Sequence, residues 1–151
     1  MQPFKNKEEA YDWCLVNGNL IPQREVNTDR IKSNLIIAEE CLASAKDNLT
    51  QKRWNSAYKD HYDVLHLLVE CLLRFDRSKS LNHQCLFTHL CVKHPQLELS
   101  WDFFERVRTK RNGINYYGTL VKEKDWKEVA LQFNLYIKLL REEVESKLNE
   151  S

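Results

Sequence analysis

Arg106, Arg108, Lys110 and Arg111 make the most basic short stretch of this chain, and Asn112, Gly113, Asn115, Tyr116, Tyr117 and Gly118 follow directly. Arginine, amide and phenol groups gathered in this way can hold a phosphate and stack on, or hydrogen-bond, a base. Arg111 is the anomaly among them. Apolar positions counted from Phe104 run Val107, Arg111, Ile114, Gly118 and Val121, a helical seam stepping 3, 4, 3, 4, 3. A guanidinium in that seam is costly unless it is compensated. Three arrangements compensate it: an ion pair inside the fold, with Glu70 one partner on offer; a cleft; or a facing subunit. The reacting candidates are Arg111, Asn112 and Tyr116, with Arg108, Lys110, Asn115 and Tyr117 as ligand-binding candidates. Gly113 inside a helix costs about 1 kcal/mol relative to alanine, so either the helix loosens there or something approaches its backbone closely.

A second group of chemistry-bearing residues, His83, Cys85, His89, Cys91 and His94, invites a metal test. At about 100° per residue, His83, Cys91 and His94 fall near 0°, 80° and 20°, while Cys85 and His89 fall near 200° and 240°. The donors point to opposite faces, and the tight spacings of zinc sites are missing, so the expectation is ordinary helix packing with no metal and no cofactor. No G-x-S-x-G elbow or G-x-x-x-x-G-K phosphate loop occurs. The five cysteines are scattered and odd in number, with no C-x-x-C pair. Four lie in apolar helical patterns and read as buried reduced thiols.

The elements that position these residues must be helices. Only three glycines and three prolines occur in 151 residues, where average usage gives roughly ten and seven or eight. Folds with many tight turns need more of both. Residues 7–16 read as a short amphipathic helix stopped at Asn17-Gly18. Asn27 or Thr28 then caps a helix with Ile31, Leu35, Ala38, Leu42, Ala45 and Leu49 on one side. Residues 52–75 follow, with an apolar stripe wide enough for contacts on two sides. A shorter helix over 81–94 ends at Pro95; another starts after Ser100; the last covers 125–148. Short connections predict antiparallel neighbours. The expected fold is all-α: an up-and-down four-helix bundle over 27–151, with an N-terminal helix and linker over 1–26.

The charge balance of 23 basic against 22 acidic residues, net +1, gives no global pull toward nucleic acid, so any such site must be local. The opening residues lack the apolar core of a secretory signal, and no apolar run is long enough for a membrane span. The expected location is cytoplasmic, with no membrane partner.

A helix ending near Asn48-Leu49, then Lys52-Arg53-Trp54-Asn55-Ser56-Ala57-Tyr58 with Tyr62 and Glu70-Cys71-Leu72-Leu73, then a late helix carrying Arg111-Asn112-Gly113-Ile114-Asn115-Tyr116, resembles the HEPN domains over about residues 28–148. The resemblance implies a four-helix up-and-down bundle that dimerises through faces bearing an R-x(4–6)-H motif, often with Asn after the Arg. In active members that motif forms a metal-free ribonuclease site at the dimer interface. Many members are toxins paired with a nucleotidyltransferase antitoxin; others bind nucleotides or RNA without cutting.

Arg111 and Asn112 match the motif's opening, but its histidine is replaced by Tyr116, and no histidine follows His94. A phenol with a pKa of about 10 is a poor base at neutral pH, although it can donate to a phosphate. Losing acid–base help removes roughly 10²–10⁴ in rate. The favoured expectation is therefore a homodimeric HEPN-like module that binds a nucleotide or RNA with a degenerate catalytic motif, with a nucleotidyltransferase or toxin–antitoxin partner. The alternatives are a metal-independent endoribonuclease toxin using Arg111, Asn112 and Tyr116, and a noncatalytic structural dimer. In an ideal helix Arg111 and Tyr116 stand about 140° apart, so pairing them calls for a distorted helix or a site spread over two subunits.

Overall fold

The computed structural model describes residues 3–150. The chain is all-α apart from one short two-stranded ribbon: α1 (Lys7–Val16), β1 (Leu20–Pro22), α2 (Thr28–Thr50), α3 (Trp54–Phe75), β2 (Ser78–Ser80), α4 (His83–Lys93), a single 3-10 turn (Pro95–Leu97), α5 (Trp101–Tyr117) and α6 (Glu123–Glu150). Helix starts follow local chemistry. The side chains of Asn6, Asn27, Asn82 and Ser100 each accept a hydrogen bond from the backbone N–H three residues on, satisfying donors that a helix end leaves open. Gly18 and Gly118 take left-handed φ values of 68° and 63°, just beyond α1 and at the end of α5.

α3 is the central helix. Its wide stripe, including Tyr58, Tyr62, Leu65, Leu68 and Leu72, is buried, and it packs against α2, α4, α5 and α6. Aromatic stacking ties the late helices to that core: Phe87 of α4 lies against Phe104 of α5 with centroids 4.7 Å apart. Phe103 of α5 meets Phe133 of α6 edge-on at 5.4 Å. Trp126 and Phe133 stack along α6 at 5.6 Å.

The N-terminal segment is fastened at two points. β1 pairs antiparallel with β2, Leu20 opposite Ser80 and Pro22 opposite Ser78. Cys14 of α1 and Cys85 of α4 form a disulfide. This corrects the expectation of reduced thiols for these two cysteines: they lie on packed faces of α1 and α4, helices far apart in sequence that contact each other in the fold. Cys41, Cys71 and Cys91 remain free. Burial pushes the thiols of Cys71 and Cys91 up to about 12, so both are protonated and inert at neutral pH. No described helix is long and apolar enough to cross a membrane.

Candidate functional site

α5 carries the candidate residues without a break. Of the two explanations for Gly113, close approach is the one that holds. The helix stays regular to Tyr117, and the N–H groups of Gly118 and Thr119 both donate to the Gly113 carbonyl. A Cβ added at Gly113 would stand 3.3 Å from Thr119 Oγ1. Beyond this reversal, the Val121 N–H donates to Asn55 Oδ1 at 2.7 Å, fixing the loop to the start of α3.

A cleft of about 440 Å³ opens where α1, α4 and α5 meet. α5 supplies Arg108, Arg111, Asn112 and Tyr116; the start of α4 supplies Asn82, His83 and Gln84; α1 supplies Trp13. All three reacting candidates thus line one cleft on one chain, although the helix is regular. Among the described residues no carboxylate lines the cleft.

Arg111 is not in an ion pair with Glu70. Glu70 instead lies 3.5 Å from His66 Nδ1 and accepts from Asn34 Nδ2 at 3.4 Å. The Arg111 guanidinium sits over the ring of Tyr62, 5.2 Å from its centroid, and its buried Nε has no hydrogen-bond partner. Arg108, 5% exposed, is neutralised by Glu105 at 2.8 Å. Arg111 is therefore the cation of the cleft with no ion-pair partner among the described residues.

Behind Arg111 stands a group that reading along the sequence did not assemble. The Tyr62 hydroxyl and His83 Nδ1 lie 2.9 Å apart, and the His83 ring stacks on His66 of α3, centroids 4.6 Å apart. Burial, with the neighbouring charges of His66 and Arg111, pushes His83 down to about 4, leaving a neutral imidazole at pH 7. Burial raises the Tyr62 phenol, opposed only in part by Arg111 and Arg108, so it keeps its proton. Comparing donors within α4 alone could not reveal His83, because its partners lie on α3 and α5. The spacing of His66 four residues after Tyr62 is the single hint the sequence holds.

Among the remaining members of the metal test, Cys91 is a buried free thiol. His89 and His94 both contact Asp76 Oδ2, at 3.0 and 2.6 Å, and Cys85 is in the disulfide. A different trio, Cys41, Asp60 and Asp63, brings ligand atoms within 4.8 Å of one another. Asp60 already accepts from Asn48 Nδ2 at 2.7 Å and from Ser44 Oγ at 3.1 Å, and burial plus the two carboxylates push the Cys41 thiol up to about 11.

The other ligand-binding candidates divide. Lys110 and Tyr117 face a separate cavity of about 630 Å³ on the α6 side of α5, and Asn115 is exposed and lines neither recess. Asn112 and Tyr116 border both. Family models, curated proteins and solved structures offer no match to this chain.

Proposed function

We propose that the chain is a HEPN-like module that holds a phosphate of RNA or of a nucleotide in the Arg111 cleft. The observation that carries this reading is Arg111 itself: a guanidinium at the edge of the core, in an open recess without a carboxylate, with a buried Nε lacking a partner. Buried donors left unpaired cost about 1–3 kcal/mol, a cost that an arriving phosphate oxygen removes. Asn112 and the Tyr116 hydroxyl supply neutral donors on the same wall. In this reading α2, α3, α5 and α6 are the up-and-down bundle, and the disulfide-linked α1 and α4 add the opposite wall of the cleft. A homodimer and a nucleotidyltransferase partner belong to the same proposal through the family resemblance.

The test is fluorescence anisotropy with labelled single-stranded RNA and calorimetry with nucleotides, comparing wild type with Arg111→Ala. Loss of binding in the variant supports the reading; binding that is unchanged in Arg111→Ala overturns it.

His83 favours a second reading, a metal-free endoribonuclease. A neutral imidazole in the same cleft as Arg111 could accept the 2′-hydroxyl proton as O2′ bonds to phosphorus, while the departing 5′ oxygen takes a proton from solvent. Cleavage of RNA in EDTA, lost in both His83→Ala and Arg111→Ala, is the result this reading requires.

A further inference from the structure

We infer that the cavity on the α6 side of α5 is a base pocket working with the Arg111 cleft, so that the ligand is a nucleoside phosphate bound across the end of α5. This rests on the phosphate reading above and adds the part of the ligand that the phosphate reading leaves open.

The two recesses share Asn112 and Tyr116 and differ in charge. In the cleft no carboxylate answers Arg111. In the cavity each cation has an answering acid: Arg106 Nη2 lies 2.7 Å from Glu128 Oε2, and Lys110 Nζ lies 3.9 Å from Asp125 Oδ2. One recess therefore favours an anion, while the adjoining one offers balanced charge to a neutral group that hydrogen-bonds. A molecule that is anionic at one end, with a flat, neutral, hydrogen-bonding ring at the other, matches both. At about 630 Å³ the cavity is within the range of small-molecule sites.

Tyr58 gives the cavity an independent pointer to a ligand. It lines the cavity yet is only 2% exposed, and its ring is held edge-on by Trp126 and Phe133 at 6.4 and 5.6 Å. Its hydroxyl oxygen is not among the buried atoms left without a partner, so it opens to the cavity. Burial raises this phenol, so it remains a donor at neutral pH. A heterocycle nitrogen or carbonyl entering the cavity would take the place of solvent as the partner of this hydroxyl. Tyr116 and Tyr117, 72% and 84% exposed, stand at the rim with ring faces free to stack on a base, an interaction that tolerates any base identity.

The experiment is calorimetry of the full chain with ribose 5-phosphate, the four nucleoside 5′-monophosphates and a single-stranded RNA octamer. Nucleotides are expected to bind at least tenfold tighter than ribose 5-phosphate. Tyr58→Phe keeps the ring packing and is expected to weaken nucleotides about threefold to tenfold, the worth of one hydrogen bond, while leaving ribose 5-phosphate unchanged. Tyr117→Ala, at an exposed position, should show the same selectivity and serves if Tyr58→Phe fails to fold. Arg111→Ala should weaken every phosphate compound. An octamer that outbinds the monophosphates assigns the ligand to RNA, and parity assigns it to free nucleotides; both outcomes support the pocket. Nucleotides and ribose 5-phosphate binding alike, with no effect of either tyrosine variant, overturn the base pocket and leave the phosphate reading standing. No binding by any phosphate compound overturns both.

Discussion

Arg111 rests its guanidinium on the face of Tyr62, 5.2 Å from the ring centroid, and not on a carboxylate. An aromatic face attracts a cation without neutralising it, so the charge stays available to the cleft. Tyr62 is in turn anchored to His83 across α3 and α4. The three side chains come from three helices, so the cation is positioned by tertiary packing and not by α5 alone.

That placement predicts a stability result opposite to that of a structural ion pair. Breaking a buried pair costs about 3–5 kcal/mol. Arg111→Met instead removes an unpartnered Nε, regaining about 1–3 kcal/mol, and gives up a cation–π contact worth about 0.5–1 kcal/mol. Thermal unfolding should therefore occur at or above the wild-type temperature. A large drop on this substitution would mean that Arg111 serves the core and not a ligand.

The Cys14–Cys85 bond joins residues adjacent in sequence to Trp13 and Gln84, which both line the cleft. It spans a sequence separation of 71, and closing a loop of that size stabilises a fold by about 2–4 kcal/mol. The Cys14→Ser, Cys85→Ser double variant should lose that amount in urea titration. Reductant should destabilise the wild type by a similar amount and leave the double variant unmoved. Because the bond ties α1 to α4, the same variant should weaken phosphate binding without touching any α5 side chain.

The helices were legible because their signals are local. Asn27 and Ser100 cap where their side chains say they should, and the wide stripe of α3 announces a helix with neighbours on several sides. What stayed hidden depends on meetings between distant segments. β1 and β2 lack an alternating apolar pattern, being Leu-Ile-Pro and Ser-Lys-Ser, and exist because the chain on either side brings them together. Cys14 and Cys85 carry no paired spacing. At the site, periodicity located Arg111 on an apolar face, yet it could not choose between an acid and an aromatic ring as its neighbour. His83 looked like one member of a scattered metal set until Tyr62 and His66 came up beneath it from α3.

Acid should weaken the fold in two stages. His61 is buried against Trp126 at 4.4 Å, and burial lowers its pKa, opposed by its bond to the Ala57 carbonyl; His83 is pushed down to about 4. For both, the unfolded chain takes up protons first, so their contribution is complete above about pH 6.5 and falls as the pH drops below it. Burial alone would raise Asp76, but the His89 and His94 hydrogen bonds outweigh it and hold the carboxyl well below its usual range. Its contribution is complete above about pH 3.9 and is lost only on further acidification. Urea titrations at stepped pH should show both declines. His83→Gln should make the decline between about pH 6.5 and 4 shallower, leaving the His61 share, and Asp76→Asn should do the same below it; a pH-independent stability over the upper interval would contradict the neutral state of His83.

The end of α5 offers a prediction in which backbone and crowding separate. Gly118 holds φ at 63° with nothing within 4 Å of a built Cβ, so Gly118→Ala meets no neighbour and pays only for the left-handed conformation, about 1–2 kcal/mol. For a chain of this length that is roughly 2–8 °C in unfolding temperature. Gly113 is the converse: its backbone is helical, so Gly113→Ala gains up to about 1 kcal/mol of propensity, set against a methyl 3.3 Å from Thr119 Oγ1. Thr119 is exposed and can turn aside, so Gly113→Ala should be close to neutral in thermal unfolding. The chain reverses over this glycine at the edge of the base cavity, so Gly113→Val should destabilise the reversal and lower nucleotide affinity together. Should Gly118→Ala melt with the wild type while Gly113→Ala melts far below it, the reversal would be governed by side-chain crowding and not by the left-handed cap.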